Sequence, residues 1–372
     1  MTLSAILITE TPPVGDGTTL AVKDLFDTAG VRTTYGSAVF ADHVPAVTAE
    51  AVVRLERAGY ASIGKANLHE FAWGITSENP HHGWVPNPAA PGRIAGGSSG
   101  GCAAALAAGI AEAGLGTDSA GSIRIPSACC GTTGLKPTYG LVPLDGCFPL
   151  AKSFDHAGPM ARDVAGCERM MPALAPGYEP AALDSLADLK VGVAWTERAD
   201  PLVRECVERA AAAFPDRRTV DLPLPEGVYA AFAREAVEVH ERLFRDHREQ
   251  YGDNVATKLE RAMRLTDAEV ERAWQERERY RERIAALTEG LDLVVTPTLQ
   301  MVAPPAGVGD LALRERAIEL TFPWNVVGAP ALALPCGAAE DGLPASVQLA
   351  GRPGDDALVL AAGRLLERAM AA

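Results

Sequence analysis

Residues 92–140 read GRIAGGSSGGCAAALAAGIAEAGLGTDSAGSIRIPSACCGTTGLKPTYG, and the rest of the chain is organised around them. Two glycine-flanked serine clusters lie in this stretch, at residues 96–101 and 116–124. Glycine allows positive φ and a close approach of the backbone to a ligand, so serines between glycines can be presented on exposed turns. The alanine-rich segment 102–113 between the clusters predicts a buried helix with small side chains. A glycine-rich turn that opens a helix directs free amides at whatever lies in front of it. Two such clusters around one helix therefore indicate a functional site rather than a linker.

Composition excludes several classes of protein. The chain has 372 residues, enough for one large α/β domain or two ordinary ones. Its formal net charge of −14 argues against a nucleic-acid surface, because phosphate binding requires a basic field. No apolar run approaches the roughly 18 residues of a membrane span, and residues 1–10 lack the features of a signal peptide. Seven cysteines without a CxxC pair indicate neither a disulfide framework nor a zinc site. We expect a reducing cytoplasm as the location, and neither a membrane nor a nucleic acid as a partner.

Hydrophobic patterns elsewhere predict strands that alternate with helices. Strands are predicted at residues 20–22, 60–63, 190–195, 291–296 and 345–349, and a strand followed by a turn within residues 134–142. Helices are predicted at residues 48–58, 202–214, 228–250, 268–287 and 356–369, and surface loops at 79–93 and 153–162. No internal repeat or linker stands out. We therefore predict one α/β domain over residues 1–372, with a sheet covered by helices on both faces.

Several motifs offer alternative functions. Ser98 and Ser99 each stand in a Gly-x-Ser-x-Gly pattern, which is typical of the nucleophile elbow of α/β-hydrolases. That fold places a catalytic histidine late in the chain, but the last histidine here is His247. Residues 59–66 match the P-loop spacing, except that Ala66 lacks the hydroxyl that holds magnesium. Both patterns are therefore weak indications of function.

Two adjacent pairs of residues are candidate ligands or thiols. His81 and His82 are neighbours without a nearby acidic or cysteine partner, and we expect them at the surface or at a substrate rim rather than on a metal. Cys129 and Cys130 are most simply small buried hydrophobic residues. Neither pair predicts a metal site.

Residues 64–67, 96–101 and 116–124 together resemble the amidase signature family. The similarity extends to residues 22–24, 130–138, 155–162, 323–325 and 348–353, and is weakest between residues 170 and 290. The resemblance implies a single-domain amidase-signature fold, in which a mixed, mostly twisted β-sheet is covered by helices on both faces. This expectation agrees with the alternation of strands and helices.

The resemblance implies a Ser–cis-Ser–Lys triad. Ser122 would be the nucleophile, Ser98 the bridging serine after a cis peptide, and Lys65 the base. A serine hydroxyl is a weak nucleophile until a base accepts its proton. Lysine can be that base when burial lowers its pKa towards the working pH. No histidine, metal or organic cofactor is then needed.

The resemblance also implies an oxyanion hole built from the consecutive backbone amides of Ser119, Ala120, Gly121 and Ser122. Losing one such donor typically lowers the rate on the order of 10²-fold. Ala120 stands where most members of the family carry glycine, and Ser119 replaces the usual threonine or isoleucine-like residue. We expect the methyl group of Ala120 either to narrow the acyl pocket or to restrict φ at this position. The residues that bind the substrate are not assigned by the sequence.

The resulting prediction is a cytoplasmic amidase that hydrolyses a small carboxylic amide to an acid and ammonia or an amine, through an acyl-enzyme on Ser122. One alternative is the A subunit of a glutamine-dependent tRNA amidotransferase, which acts with partner subunits. Another is a catalytically silent amidase-like binding protein. Family members usually carry a helical segment before the strand that ends near Val22, and that segment is short here. The oligomeric state, including a homodimer, is left open.

Overall fold

A computed structural model describes residues 3–13 and 16–371, and its strands are assigned within them. The strands are β1 (Leu7–Glu10), β2 (Thr18–Lys23), β3 (Tyr60–Ala66), β4 (Glu78–Asn79), β5 (Gly83–Trp84), β6 (Ala113–Asp118), β7 (Thr133–Lys136), β8 (His156–Ala161), β9 (Val191–Val193), β10 (Arg217–Thr219), β11 (Leu293–Pro297), β12 (Ala331–Ala338) and β13 (Pro344–Ala350). All but β4 and β5 form one 11-stranded sheet, in the order β1-β3-β2-β6-β8-β7-β12-β13-β11-β9-β10. Strands β4 and β5 form a separate two-stranded sheet.

The α-helices are α1 (Leu3–Ile6), α2 (Glu50–Arg57), α3 (Gly100–Ala107), α4 (Arg124–Cys130), α5 (Val164–Leu174), α6 (Pro201–Ala211), α7 (Tyr229–His247), α8 (Asp253–Ala262), α9 (Asp267–Leu287), α10 (Asp310–Ile318), α11 (Phe322–Val327) and α12 (Asp356–Ala371). Single turns of 3₁₀ helix lie at Ala38–Phe40, Glu70–Ala72, Leu186–Asp188, Thr196–Arg198, Arg248–Gln250 and Glu340–Gly342. In the part of the chain that the structure describes, no helix is both long and apolar enough to cross a membrane.

The large sheet is mixed and has helices on both faces. Strands β3, β2 and β6 run parallel, as do β11, β9 and β10, while the strands between β6 and β11 are antiparallel to their neighbours. Alternate residues of a strand point to opposite faces. Accordingly, Leu115 of β6 packs in one cluster with Leu55 of α2, whereas Gly114 faces Cys102 of α3. The fold predicted from the sequence is confirmed.

The longest helix, α9, shows how sequence sets both its start and its buried face. Thr266 and Glu269 form a reciprocal capping box, which satisfies amides that the first turn leaves without partners. The buried residues that follow recur at spacings of three and four: Val270, Ala273, Arg277, Tyr280 and Ile284. This pattern gives one buried, mainly apolar stripe that includes Arg277, and one charged face.

Two predictions of local structure are wrong. Helix α3 ends at Ala107 rather than continuing to residue 113, because Gly109 adopts a left-handed conformation (φ +70°). The last residue of the predicted helix, Ala113, instead begins strand β6. Residues 156–161, within a predicted loop, form the fully buried strand β8. Pro159 lies opposite Leu115 of β6. On the other side of β8, strand β7 pairs only with Met160 and Ala161, so the missing N–H of Pro159 interrupts no hydrogen bond between β7 and β8.

This topology positions the site. Strands β2 and β6 are parallel neighbours, so the residues that end them lie at the same edge of the sheet. Lys23 ends β2 and Asp118 ends β6. The turn before α3 lies against the same edge, since the amide of Ser99 donates to the carbonyl of Ser122 at 3.2 Å. Both serine clusters therefore meet where β2 and β6 end.

Candidate active site

A fully buried lysine, Lys23, contacts the first serine cluster. Its Nζ donates hydrogen bonds to Ser98 Oγ and to Thr117 Oγ1, each at 2.7 Å. Burial lowers the pKa of Lys23 to about 8, although the nearby Asp118 and Asp155 carboxyls act in the opposite direction. With this pKa about a tenth of the lysine is neutral at pH 7 and about half at pH 8. Its lone pair can then accept a proton through Ser98.

The base predicted from the sequence must be corrected, because Lys65 does not occupy this position. Its Nζ donates to Thr28 Oγ1 at 3.1 Å and to the carbonyl of Phe26. Lys65 pairs with Val22 in the β2–β3 ladder, so its side chain leaves the sheet on the face opposite to that of Lys23. Burial lowers the pKa of Lys65 to about 8 as well. The pKa alone therefore does not distinguish the two lysines, whereas the contacts do.

Lys23 was missed although its signal was visible. It is a lysine at the end of a buried apolar strand, within the Val22-Lys23-Asp24 segment that carries part of the family resemblance. A cation there requires polar partners, because burying an unpartnered charge is costly. The glycine-serine turn supplies one of them, Ser98.

The two serines predicted as relay and nucleophile lie on adjoining loops, because the amide of Ser99 donates to the carbonyl of Ser122 at 3.2 Å. The peptide bond between Gly97 and Ser98 is cis, as the resemblance implied. Ser122 is 7% exposed and lines a cavity, whereas Ser98 is completely buried. The other candidate, Ser99, is also completely buried, and its hydroxyl donates to the carbonyl of Thr117 at 3.2 Å. The geometry thus favours Ser122 over Ser99 as the serine that meets a ligand.

A buried ion pair holds the loop that carries Ser122. Arg124 Nη2 lies 2.8 Å from Asp118 Oδ1, and Arg124 Nε lies 3.0 Å from Asp118 Oδ2. Asn325 donates from Nδ2 to Asp118 Oδ1 at 2.9 Å, and its own Oδ1 accepts from Arg124 at 2.6 Å. Burial alone would raise the pKa of Asp118, but the charge and hydrogen bonds of Arg124 outweigh it and hold that pKa below its ordinary value. Both ends of the loop are therefore tied to α11.

One member of the predicted oxyanion hole, Gly121, must be corrected, because its amide is bound by the carboxylate of Asp118. The amide of Gly121 donates to Asp118 Oδ1 at 2.8 Å and is not directed at a ligand. Gly121 has φ +132°, and a side chain there would lie 2.7 Å from Ile125 Cδ1 and against Thr321. Its role is thus to shape the loop. Within the described residues, the amides of Ser119, Ala120 and Ser122 donate to no protein acceptor, so these three remain candidates.

Two cavities adjoin this loop. The one that Ser122 lines, here called the inner cavity, measures about 20 Å³ and also contacts Ser119 and Ala120. A larger cavity of about 350 Å³ lies beyond Ser119 and is bordered by Thr117 and Asp155. Ser119 Oγ donates to Asp155 Oδ1 at 2.6 Å, which fixes the wall between the two cavities. Of these two cavities, Ser122 lines only the inner one.

The cysteine pair is buried as expected, whereas His81 and His82 are both partly buried and His81 has an acidic partner that its sequence neighbours did not indicate. His81 Nε2 lies 2.9 Å from the buried Glu70, whereas His82 Nε2 lies 3.1 Å from the hydroxyl of Thr34. Cys129 and Cys130 are buried free thiols. No cluster of three or more metal-ligating side chains occurs in residues 3–13 and 16–371.

A serine on a loop with free backbone amides, joined to a turn whose own serine is bonded to a buried lysine, is an arrangement suited to a serine hydrolase. The sequence profile of the Amidase family matches residues 9–360 of this chain. The chain therefore belongs to the amidase family, and it is an enzyme that acts on amide C–N bonds.

Individual relatives agree with this assignment. The chain is 34% identical to the A subunit of glutamyl-tRNA(Gln) amidotransferase from Chloroflexus aurantiacus, over 95% of this chain and 82% of the relative. It is 35% identical to the AtzE subunit of 1-carboxybiuret hydrolase from Pseudomonas sp. strain ADP, over 96% of this chain and 84% of the relative. A solved amidase structure matches with a TM-score of 0.87 and 38% identity, over 95% of this chain and 84% of that one. The family, fold and enzyme class predicted from the sequence are confirmed.

Proposed function

We propose that this enzyme hydrolyses a carboxylic amide through an acyl-enzyme on Ser122, with Ser98 as proton relay and Lys23 as base. The observation that carries the proposal is the 2.7 Å hydrogen bond from Lys23 Nζ to Ser98 Oγ, on a turn whose next residue, Ser99, bonds the carbonyl of Ser122. Neither lysine nor serine alone would suffice, because serine is weakly acidic and needs a base within hydrogen-bond reach.

Acylation forms one bond and breaks another. The Oγ of Ser122 attacks the amide carbon as its proton passes to Ser98, whose own proton passes to neutral Lys23. The tetrahedral oxyanion is stabilised by the amides of Ser119, Ala120 and Ser122. The C–N bond then breaks, and the proton held by Lys23 returns through Ser98 to the departing nitrogen. Ammonia or an amine leaves, and the acyl group stays on Ser122 as an ester.

Deacylation repeats these steps with water as the nucleophile. Water loses a proton along the same serine–lysine relay and attacks the ester carbon, which releases the acid and restores the Ser122 hydroxyl. Thr117 supports the relay, since its hydroxyl accepts the second hydrogen bond of Lys23. This fixes the Nζ atom towards Ser98. The residues of the chain thus provide every proton transfer that the reaction requires.

The setting of the enzyme is part of the proposal. We infer that residues 1–372 act as one domain in the cytoplasm, on a small-molecule amide and without nucleic-acid or membrane contact. The acidic charge of −14 supports this, because a nucleic-acid surface would be basic. A homodimer is compatible with the same chemistry.

A second candidate function rests on one comparison. The relative from Chloroflexus aurantiacus is the A subunit of glutamyl-tRNA(Gln) amidotransferase, so membership of an amidotransferase complex remains an alternative for this chain. The two functions differ in their need for partners. The proposed hydrolase releases ammonia from an amide with no other protein present, whereas the alternative predicts release only when its partner proteins are added.

The test uses the purified chain with a panel of amides and measures ammonia. Release by the wild type and its loss in Ser122→Ala would support the proposal. Ser99→Ala is the matched control, since it removes a neighbouring hydroxyl that bonds only a backbone carbonyl. If Ser122→Ala stays active while Ser99→Ala is inactive, the assignment of the nucleophile is wrong and the elbow interpretation is correct.

A further inference from the structure

A second, more open cavity of about 250 Å³, here called the outer cavity, shares part of its wall with the inner cavity. Trp73 and Arg314 line both of them. On the outer side the wall also includes Lys258 and Arg261. A ligand that reaches from Ser122 towards the outer cavity therefore passes Arg314.

The outer cavity is cationic in a chain of net charge −14. Three cations line it, Lys258, Arg261 and Arg314, against one carboxylate, Glu315. Lys258 is already compensated, because it forms a buried ion pair with Asp310. Charged groups of one sign in a concave site concentrate ligands of the opposite sign. The remaining positive charge therefore favours an anion.

Arg314 is oriented without being neutralised. Its guanidinium carbon lies 4.5 Å from the centre of the Tyr229 ring, and its Nη2 donates to Tyr229 Oη. The same oxygen accepts from Trp73 Nε1 at 3.0 Å. Neither Arg314 nor Arg261 forms an ion pair with any carboxylate in residues 3–13 and 16–371. A guanidinium has five N–H donors in a planar fork suited to a carboxylate, so most of those of Arg314 are left for a ligand.

The rest of the inner cavity offers no comparable group. Besides the loop of Ser122, its wall is mainly apolar and includes Phe232, Ile318 and Leu150. A charged acyl group would be poorly accommodated there except at Arg314. The inner cavity measures about 20 Å³, little more than the roughly 10–15 Å³ that one water needs. A space this narrow, lined by both Ser122 and Arg314, favours a short acyl chain between the reacting carbonyl and the guanidinium.

We propose that Arg314 binds a carboxylate on the acyl part of the substrate, so that the substrate is the monoamide of a short dicarboxylic acid. The inference rests on the proposed function, because it places the reacting carbonyl at Ser122. Arg314 is then a specificity-determining residue. It contacts the end of the substrate opposite to the amide that is cleaved.

The experiment measures how ligands protect Ser122 from a neutral fluorophosphonate probe, with the labelled residue identified by mass spectrometry. Succinate and succinamide are compared, because they have the same number of heavy atoms and differ in charge. In the wild type, we expect succinate to protect Ser122 at a concentration at least tenfold lower than succinamide does. In Arg314→Met this preference should fall by about ten- to a hundredfold, the usual effect of a charge-assisted bidentate contact.

Hydrolysis gives a second readout. Succinamate and succinamide are isosteric, and kcat/KM for ammonia release should favour succinamate in the wild type, mainly through KM, and lose that preference in Arg314→Met. Arg242→Gln is the charge control, since Arg242 is 88% exposed on α7 and lines neither cavity. It should retain the preference.

Each outcome decides the matter. Labelling of Ser122 with equal protection by both ligands, or a preference that survives in Arg314→Met, would overturn the assignment of Arg314 and leave the proposed function standing. Failure of the probe to label Ser122 in the wild type would instead overturn the proposed function, and this inference with it. Loss of the preference in Arg242→Gln would show a long-range charge effect and also exclude a specific role for Arg314.

Discussion

Replacing Asp118 by asparagine should destabilise the protein more than any comparable change at its surface. Asp118 and Arg124 are both 0% exposed, and Arg124 bonds no other carboxylate in residues 3–13 and 16–371. Asparagine keeps the size of the side chain but leaves the guanidinium buried without a counter-charge. Removing one partner of a buried ion pair typically costs about 3–5 kcal/mol. We expect the free energy of unfolding to fall by about that amount.

A surface pair provides the matched control. Asp267 lies 2.8 Å from Arg234 but is 95% exposed, so Asp267→Asn makes the same chemical change in solvent. Exposed pairs contribute about 0–1 kcal/mol. Urea unfolding of both variants, followed by tryptophan fluorescence and circular dichroism, measures the difference. Equal unfolding midpoints for the two variants would refute the view that the buried pair holds the loop.

The dependence on pH gives an independent check of the same pair. Because Arg124 holds the pKa of Asp118 below its ordinary value of 3.8, the folded state favours the ionised form. The resulting stabilisation is complete above the unfolded pKa and is lost as the pH falls below it. The stability gap between the wild type and Asp118→Asn should therefore be widest at neutral pH and should narrow on acidification below about pH 4. A gap that widens towards low pH would contradict the argument.

Two further predictions concern the loop itself. Ser122→Ala should abolish amide hydrolysis while leaving the free energy of unfolding within about 1 kcal/mol of the wild type, because it removes one small hydroxyl at a cavity wall. Hydrolysis by this variant at the wild-type rate would exclude Ser122 as the nucleophile. Ala120→Gly should broaden the range of acyl groups, because Ala120 lines the inner cavity and one methyl group in a packed pocket is worth roughly 1–3 kcal/mol of discrimination. The comparison is kcat/KM for a small and a bulky amide, and a ratio unchanged within about twofold would show that this methyl does not shape the pocket.

Much of the fold could be predicted because its elements have strong local signals. The capping box and the regular stripe of α9, and the apolar run that becomes β11, are decided by near neighbours in the sequence. Strand β8 could not be recognised in this way. Its Gly158-Pro159 pair is typical of a turn, and only the pairing with β6, distant in sequence, makes it a buried strand.

The site likewise contains residues that the sequence pattern reveals and one choice that depends on contacts between distant segments. Ser98 and Ser122 could be found because glycine-rich turns mark them, and the two turns are joined by the bond from the Ser99 amide to the Ser122 carbonyl. The choice between Lys23 and Lys65 could not be made from spacing, because both lysines are buried on adjacent strands with similarly lowered pKa values. What separates them is the face of the sheet on which each side chain emerges. That depends on the register between β2 and β3.

The pH dependence of Ser122 labelling by a fluorophosphonate tests the proposed mechanism in three proteins: the wild type, Lys23→Met and Lys65→Met. A base that must be neutral to act gives a rate that rises with pH through its pKa, which burial lowers to about 8 for Lys23. We predict that the wild type and Lys65→Met both show this rise, and that Lys23→Met labels at least about 10²-fold more slowly without it. A rise that persists in Lys23→Met and disappears in Lys65→Met would contradict the mechanism and make Lys65 the base.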